Sequence, residues 1–249
     1  MFPTLQLGPL NIQTPGLLIL ISFWVGLTLS ERYSARHGYP GDKLYNLVFI
    51  SLAAGIVGAR LSFALGNLSA FSGNPINLFS LNTGLLDSFG GIASACLAAV
   101  IYGHRKRLVL WDTLDALTPL FAVLMVGISV SHLASGNAYG SITTLPWGIE
   151  LWGARRHPSQ IYEIIASCLT LVITLRESSH GSIRGSLFLK FIIVTSIWLI
   201  LVEGYKGDSL VIASGFRGTQ IGFFIVLTVA IFLYNKLVAN ANTHITGNN

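Results

Sequence analysis

Apolar stretches long enough to cross a hydrocarbon core of about 30 Å recur along almost the whole chain, and no other feature restricts its fold so strongly. They cover approximately residues 15–31, 44–66, 88–103, 114–134, 159–175, 186–203 and 215–235. The runs are continuous rather than alternating, and lipid requires every backbone polar group to be satisfied within the segment, so helices are expected rather than the strands of a barrel. Only 10% of the 249 residues are charged, against about 25% in a soluble domain, and 52% are hydrophobic. A soluble globule is therefore excluded. The expected architecture is an all-α polytopic membrane protein with seven transmembrane helices in a single domain over residues 1–239, followed by a disordered Asn-rich end at 240–249. The first run lacks the basic flank of a cleavable leader and is read as a retained span.

The formal charge of +5 reports orientation before it reports partners. Arg32, Arg36, Lys43, Arg105, Lys106, Arg107, Arg176, Arg184 and Lys236 flank one side, nine in all; the other side has four, Arg155, Arg156, Lys206 and Arg217. This asymmetry places the N-terminus outside and the C-terminus in the cytoplasm. No nucleic-acid partner is implied. Of the two outward connections, 67–87 suits a segment lying on the interface, and 135–157, with Tyr139, Trp147 and Trp152, suits an aromatic-anchored outer cap. Cys96 and Cys168 lie inside apolar runs, where a thiol packs as a small hydrophobe, so neither a disulfide framework nor a metal or cofactor site is expected.

Ionisable groups at membrane depth are costly and need partners or a wet pocket. Arg60 lies two-thirds of the way along the second run; it either snorkels outward or presents bidentate donors to an anionic headgroup. His132, near the outer end of the fourth run, is either a structural histidine or a base. Around His157-Pro158-Ser159-Gln160-Ile161-Tyr162-Glu163, helical spacing groups Ser159 with Tyr162 and Glu163 while Gln160 points elsewhere. Glu163 then needs a cation, for which Arg60 or the pair Arg155 and Arg156 are expected. Gly90 and Gly91, and Gly136 and Gly140 around Asn137 and Tyr139, suit tight turns or close backbone approach to a ligand. Glu203, Lys206, Asp208 and Arg217 cluster on the outer side, with Gln220 entering the last run. The residues alone suggest an outer-leaflet lipid-headgroup pocket in which Arg60, His157 and Glu163 converge, and they specify no reaction.

Arg156-His-Pro-Ser-Gln-Ile-Tyr-Glu163 resembles the HPSQ-x-YE signature of the bacterial prolipoprotein diacylglyceryl transferase family. Gly58-Ala59-Arg60-Leu61, the Gly90-Gly91 pair, Asp115 with Thr118-Pro119-Leu120, Glu203, Lys206 and Gln220 follow in the family's order, over roughly residues 44–230. The resemblance implies seven spans with the N-terminus outside. It also implies transfer of a diacylglyceryl group from phosphatidylglycerol to the lipobox cysteine of a preprolipoprotein, with release of glycerol 1-phosphate. On that basis His157 and Glu163 join His132 as catalytic residues, and Arg60, Arg155, Arg156, Lys206, Gly90, Gly91, Tyr139, Gly140 and Gln220 form the lipid-binding set. The chain departs from the family where its arginine, two asparagines and glutamate fall within Ser129–Gly140, of which Gly136, Tyr139 and Gly140 match. The family's histidine before the glycine pair is Phe89, its later arginine is Lys206, and its first-helix tyrosine falls on Pro15. His132 is the candidate substitute base. The alternative is a catalytically silent relative that binds lipid or serves as a structural subunit with other membrane proteins.

Overall fold

A computed structural model describes residues 4–7, 10–68, 86–177, 183–209, 211–212 and 217–246. Most of the expected 67–87 interfacial segment lies outside the described residues. Two short strands, β1 (Thr4–Leu7) and β2 (Leu10–Gln13), form an antiparallel hairpin with Thr4 opposite Gln13, and among the described residues seven long helices follow. These are α1 (Thr14–Arg36), α2 (Gly41–Gly66), α3 (Ser88–Arg105), α4 (Leu110–Ser135), α5 (Ser159–Glu177), α6 (Ser186–Glu203) and α7 (Gly218–Thr246). Among the described residues six of the seven are long and apolar enough to cross a membrane. The exception is α3, whose 18 residues end on Gly103-His104-Arg105. The last helix continues through residues 240–246, and Leu237, Val238, Ala239 and Ala241 sustain helix beyond the apolar run.

The chain divides into two compact units, Gly38–Thr113 and the remainder. In the smaller unit α2 and α3 pack through small side chains. A Cβ on Gly58 would lie 1.9 Å from the Ser94 hydroxyl, and one on Gly90 would lie 2.2 Å from Ser62 Cβ, so glycine is what lets the two backbones approach. Gly91 faces Ala59 in the same way. The glycine pair, open to either use in the sequence, therefore serves helix contact in this unit. Asp87 caps α3: its carboxylate accepts from Gly90 N (2.8 Å) and Ser62 Oγ (2.6 Å), and these two bonds hold its pKa below the ordinary value. Arg60 is buried in this unit, at 8% exposure, rather than snorkelled into the open.

In the larger unit α1 meets α4 where Gly26 abuts Leu120 and Gly127 abuts Ser22. Pro119, inside α4, has no N–H, and the neighbouring Leu120 N–H donates to Ser30 Oγ on α1 (3.0 Å). Asp115, 5% exposed, accepts from Gly185 N (2.6 Å) and Phe188 N (2.8 Å), so a side chain of α4 caps the start of α6. Helix α5 inverts the soluble pattern. Its buried positions are Ser159, Gln160, Glu163, Ala166, Ser167, Thr170 and Thr174, one helical stripe of polar and small groups. Its outer face carries exposed Ile161, Ile165, Leu169, Val172 and Ile173. A lipid-facing helix is expected to turn its polar side inward. Cys96 and Cys168 are free and exposed on α3 and α5 rather than packed inside.

Candidate functional site

Pro158 stands just before the first turn of α5, where a missing N–H costs nothing, and Glu163 follows one turn later on the buried face. Its carboxylate has two partners in the larger unit. His132 Nδ1, near the end of α4, lies 2.8 Å from Oε2, and Lys206 Nζ lies 2.7 Å from Oε1. Lys206 also approaches Glu203 Oε2 at 3.5 Å, and Glu203 Oε1 accepts from Ser209 Oγ (2.6 Å) and from Thr219 Oγ1. The result is a chain of groups, His132–Glu163–Lys206–Glu203, drawn from α4, α5, the end of α6 and the segment beyond it. Burial disfavours the ammonium of Lys206, but the hydrogen bonds and charges of Glu163 and then Glu203 outweigh it and raise its pKa above 10.5.

Lys206 is held there by backbone. Gly140 and Lys206 form an antiparallel bridge, with Ser141 N donating to Tyr205 O (2.8 Å) and Gly207 N to Tyr139 O (2.8 Å). His157 N donates to Ser141 O (3.0 Å), which adds a third segment to the strip. Gly140 has to be glycine, since a Cβ would sit 2.1 Å from His157 O. Ala138, in the left-handed region at φ 53°, is held by Ser159 Oγ, which donates to its carbonyl (2.6 Å), while Gln160 Nε2 donates to Asn137 O (3.0 Å). The expectation that Gln160 points elsewhere is corrected: it is 0% exposed, because 160 and 163 are three apart and share a helical face.

The segment expected as a cap, 135–157, contains a hairpin of β3 (Ile149–Leu151) and β4 (Ala154–Arg156). Its two-residue turn, Trp152 and Gly153, has positive φ at both positions (54° and 72°), as a type I′ turn requires. Arg156 donates to Leu151 O (3.1 Å) and Gly140 O (3.3 Å) and lies 4.9 Å over the Tyr139 ring; Arg155 donates to Pro146 O (2.6 Å) and Gly148 O (3.3 Å). Both guanidiniums thus brace the hairpin, and the cation that meets Glu163 is Lys206. Arg217 braces the site from the other side through Glu203 O, Lys206 O and Ser209 Oγ, and Gln220 donates to Ile200 O (3.0 Å). The sequence placed Glu203 and Arg217 in an outer-side cluster without assigning them to the site.

Among the described residues two cavities adjoin this network. One, of about 250 Å³, has His132, Glu163 and Lys206 among its lining and continues between apolar walls that include Met125, Ile128, Phe191 and Leu199. The other, of about 430 Å³, is bordered by Trp147, His157, Tyr162, Ile165, Leu201 and Tyr205. Trp198 and Val202 line both. His157 packs at a tilt against Tyr205 (5.1 Å between ring centroids) and Tyr162 (6.4 Å), and its Nδ1 is buried without a partner among the described residues. An apolar slot ending in a histidine, a carboxylate and an ammonium suits a ligand with a hydrocarbon tail and a polar head.

A family model described as prolipoprotein diacylglyceryl transferase matches residues 3–235. The chain belongs to the prolipoprotein diacylglyceryl transferase family. Proteins named phosphatidylglycerol–prolipoprotein diacylglyceryl transferase are similar to it over most of its length. That of Shouchella clausii is 26% identical, covering 93% of this chain and 89% of its own. That of Halalkalibacterium halodurans is 27% identical over 92% and 84%, and that of Photobacterium profundum is 30% identical over 70% of each.

Proposed function

We propose that the chain transfers the diacylglyceryl group of phosphatidylglycerol to the cysteine thiol of a prolipoprotein. The observation that carries this reading is the His132–Glu163 pair at the polar end of an apolar cavity, in a member of this family. With Nδ1–H donated to the Glu163 carboxylate, the imidazole keeps Nε2 free to accept the thiol proton. The thiolate sulfur then attacks the glycerol carbon, forming a C–S bond as the C–O bond to phosphate breaks. The proton held by the imidazolium leaves with the glycerol phosphate, which balances the reaction. Lys206 supplies positive charge beside the departing phosphate, and Arg60, Arg155 and Arg156 favour the anionic lipid. His157, Tyr139, Gly140 and Gln220 shape the surrounding backbone and cavity walls. In this reading α3 is the seventh span, 135–157 is an outer cap, the N-terminus is outside and the C-terminus is cytoplasmic, all in the bacterial inner membrane.

A second reading, a silent lipid-binding relative, is favoured by one observation: Lys206 is already shared between two carboxylates. Complementation of a strain depleted of its transferase separates the two. Growth with wild type and failure with His132→Phe supports catalysis, whereas failure of both at equal membrane levels supports the silent relative.

A further inference from the structure

Transfer between a lipid and a polypeptide requires two substrates to meet at one base, and the network at Glu163 borders two cavities. Each cavity takes one of two successive side chains: Glu163 and Lys206 line the first, whereas Tyr162 and Tyr205 line the second. The two are therefore side by side at the same helical level, divided by Trp198 and Val202. They differ in depth and chemistry. The first extends along α6 from Val202 back to Phe191, about 16 Å at 1.5 Å per residue, which suits an acyl chain. Among the described residues the second involves the outer turns of α5 and α6 together with Leu145, Trp147, His157 and Tyr205. Among the described residues no Asp, Glu, Lys or Arg lines it, so they offer no fixed charge to a phosphate. It is bordered by His157, whose Nδ1 is buried without a partner among the described residues, and a hydrocarbon chain would leave that atom unsatisfied. A peptide backbone would satisfy it. Aromatic walls with polar tips are the surfaces peptides favour, and Trp147 Nε1 already donates to Tyr162 OH across this one (3.0 Å). Ile165 and Leu201, at the margin, are 53% and 55% exposed, so the cavity opens on the outer face of α5 and α6, where a membrane-embedded segment would arrive.

Resting on the transferase reading, we infer that this second cavity is the docking site of the acceptor polypeptide, an uncharged apolar segment whose backbone bonds His157 Nδ1 and whose thiol crosses the Trp198–Val202 divide to His132.

The test uses full-length protein in phosphatidylglycerol nanodiscs and a fluorescent lipobox peptide whose cysteine is replaced by serine, so that binding is read without turnover. Ile165→Trp and, from the opposite helix, Leu201→Trp fill the cavity, and each should weaken peptide binding about tenfold or more. His157→Phe should weaken it about 3- to 10-fold, the range of one hydrogen bond. Phosphatidylglycerol retained through purification should be unchanged in all three. Loss of retained lipid in the filled variants would assign the cavity to an acyl chain and overturn the inference. Unchanged peptide binding in both Trp variants, or no binding by wild type, would overturn it as well. Peptide that binds as described but whose cysteine form is never modified would instead refute the transferase reading and leave the docking site standing.

Discussion

Replacing Glu163 by Gln keeps the shape of the side chain and removes the charge that His132 and Lys206 share. At 2.7 Å and an effective dielectric of about 20, the attraction between Glu163 and Lys206 is about 6 kcal/mol before desolvation. Glu203, at 3.5 Å, still supplies about 5 kcal/mol to the same ammonium. Lys206 is therefore not stranded. The loss should fall below the about 3–5 kcal/mol of an uncompensated buried charge, at about 2–3 kcal/mol. That corresponds to a lowering of Tm by about 4–12 °C for a chain of this size. Lys206→Met removes the cation and leaves Glu163 and Glu203 facing each other without it, so it should cost more. If the three groups act as one unit, the double variant should cost less than the sum of the singles by about 1 kcal/mol or more. Thermal unfolding in nanodiscs, followed by tryptophan fluorescence, reads all three variants. Additivity within about 0.5 kcal/mol would refute the network as an energetic unit.

Because the pKa of Lys206 is raised in the folded protein, its contribution should be complete below about pH 10.4 and be lost as pH rises through the folded value; melting across about pH 9 to 12 should show an alkaline loss that Lys206→Met flattens. Gly140→Ala should destabilise the 139–141 strip by about 1–3 kcal/mol, since its Cβ meets the His157 carbonyl, and Tm unchanged within error would contradict that geometry. Arg60→Gln should strip co-purifying phosphatidylglycerol, measured by mass spectrometry; unchanged lipid content would remove Arg60 from the lipid set. Reporter fusions within residues 104–110 should be cytoplasmic, and an outside signal there would reverse the proposed orientation.

The helices were legible because a long apolar run favours helix: each of the seven runs overlaps one of α1 to α7, and six of these helices are long and apolar enough to cross a membrane. Hydropathy reports the apolar run and not the full length of α7, since Asn240 and Asn242 lower hydropathy without breaking helix between alanines. Neither hairpin was anticipated, although Gly153 after Trp152 was a turn signal in plain view. Within the site, His132, Glu163 and Lys206 were each identifiable as ionisable groups needing partners. Their pairing was not, because the 205–207 segment reaches Glu163 through backbone bonds to 139–141, some 65 positions away, which no periodicity reports. The arginines at 155 and 156 were read as partners of Glu163 from proximity in sequence, whereas the hairpin turns both onto carbonyls. The Tyr162–Tyr205–His157 cluster depends on the same long-range closure.

The proposed transfer with His132 as base is open to a direct test. Purified protein is incubated with phosphatidylglycerol and a cysteine-containing lipobox peptide, beside a working family enzyme and His132→Phe, and the peptide is weighed by mass spectrometry. Wild type should add one diacylglyceryl mass to the peptide, while His132→Phe should add none and retain its lipid. A peptide left unmodified by wild type while the control enzyme modifies it, or modified equally by His132→Phe, would contradict it.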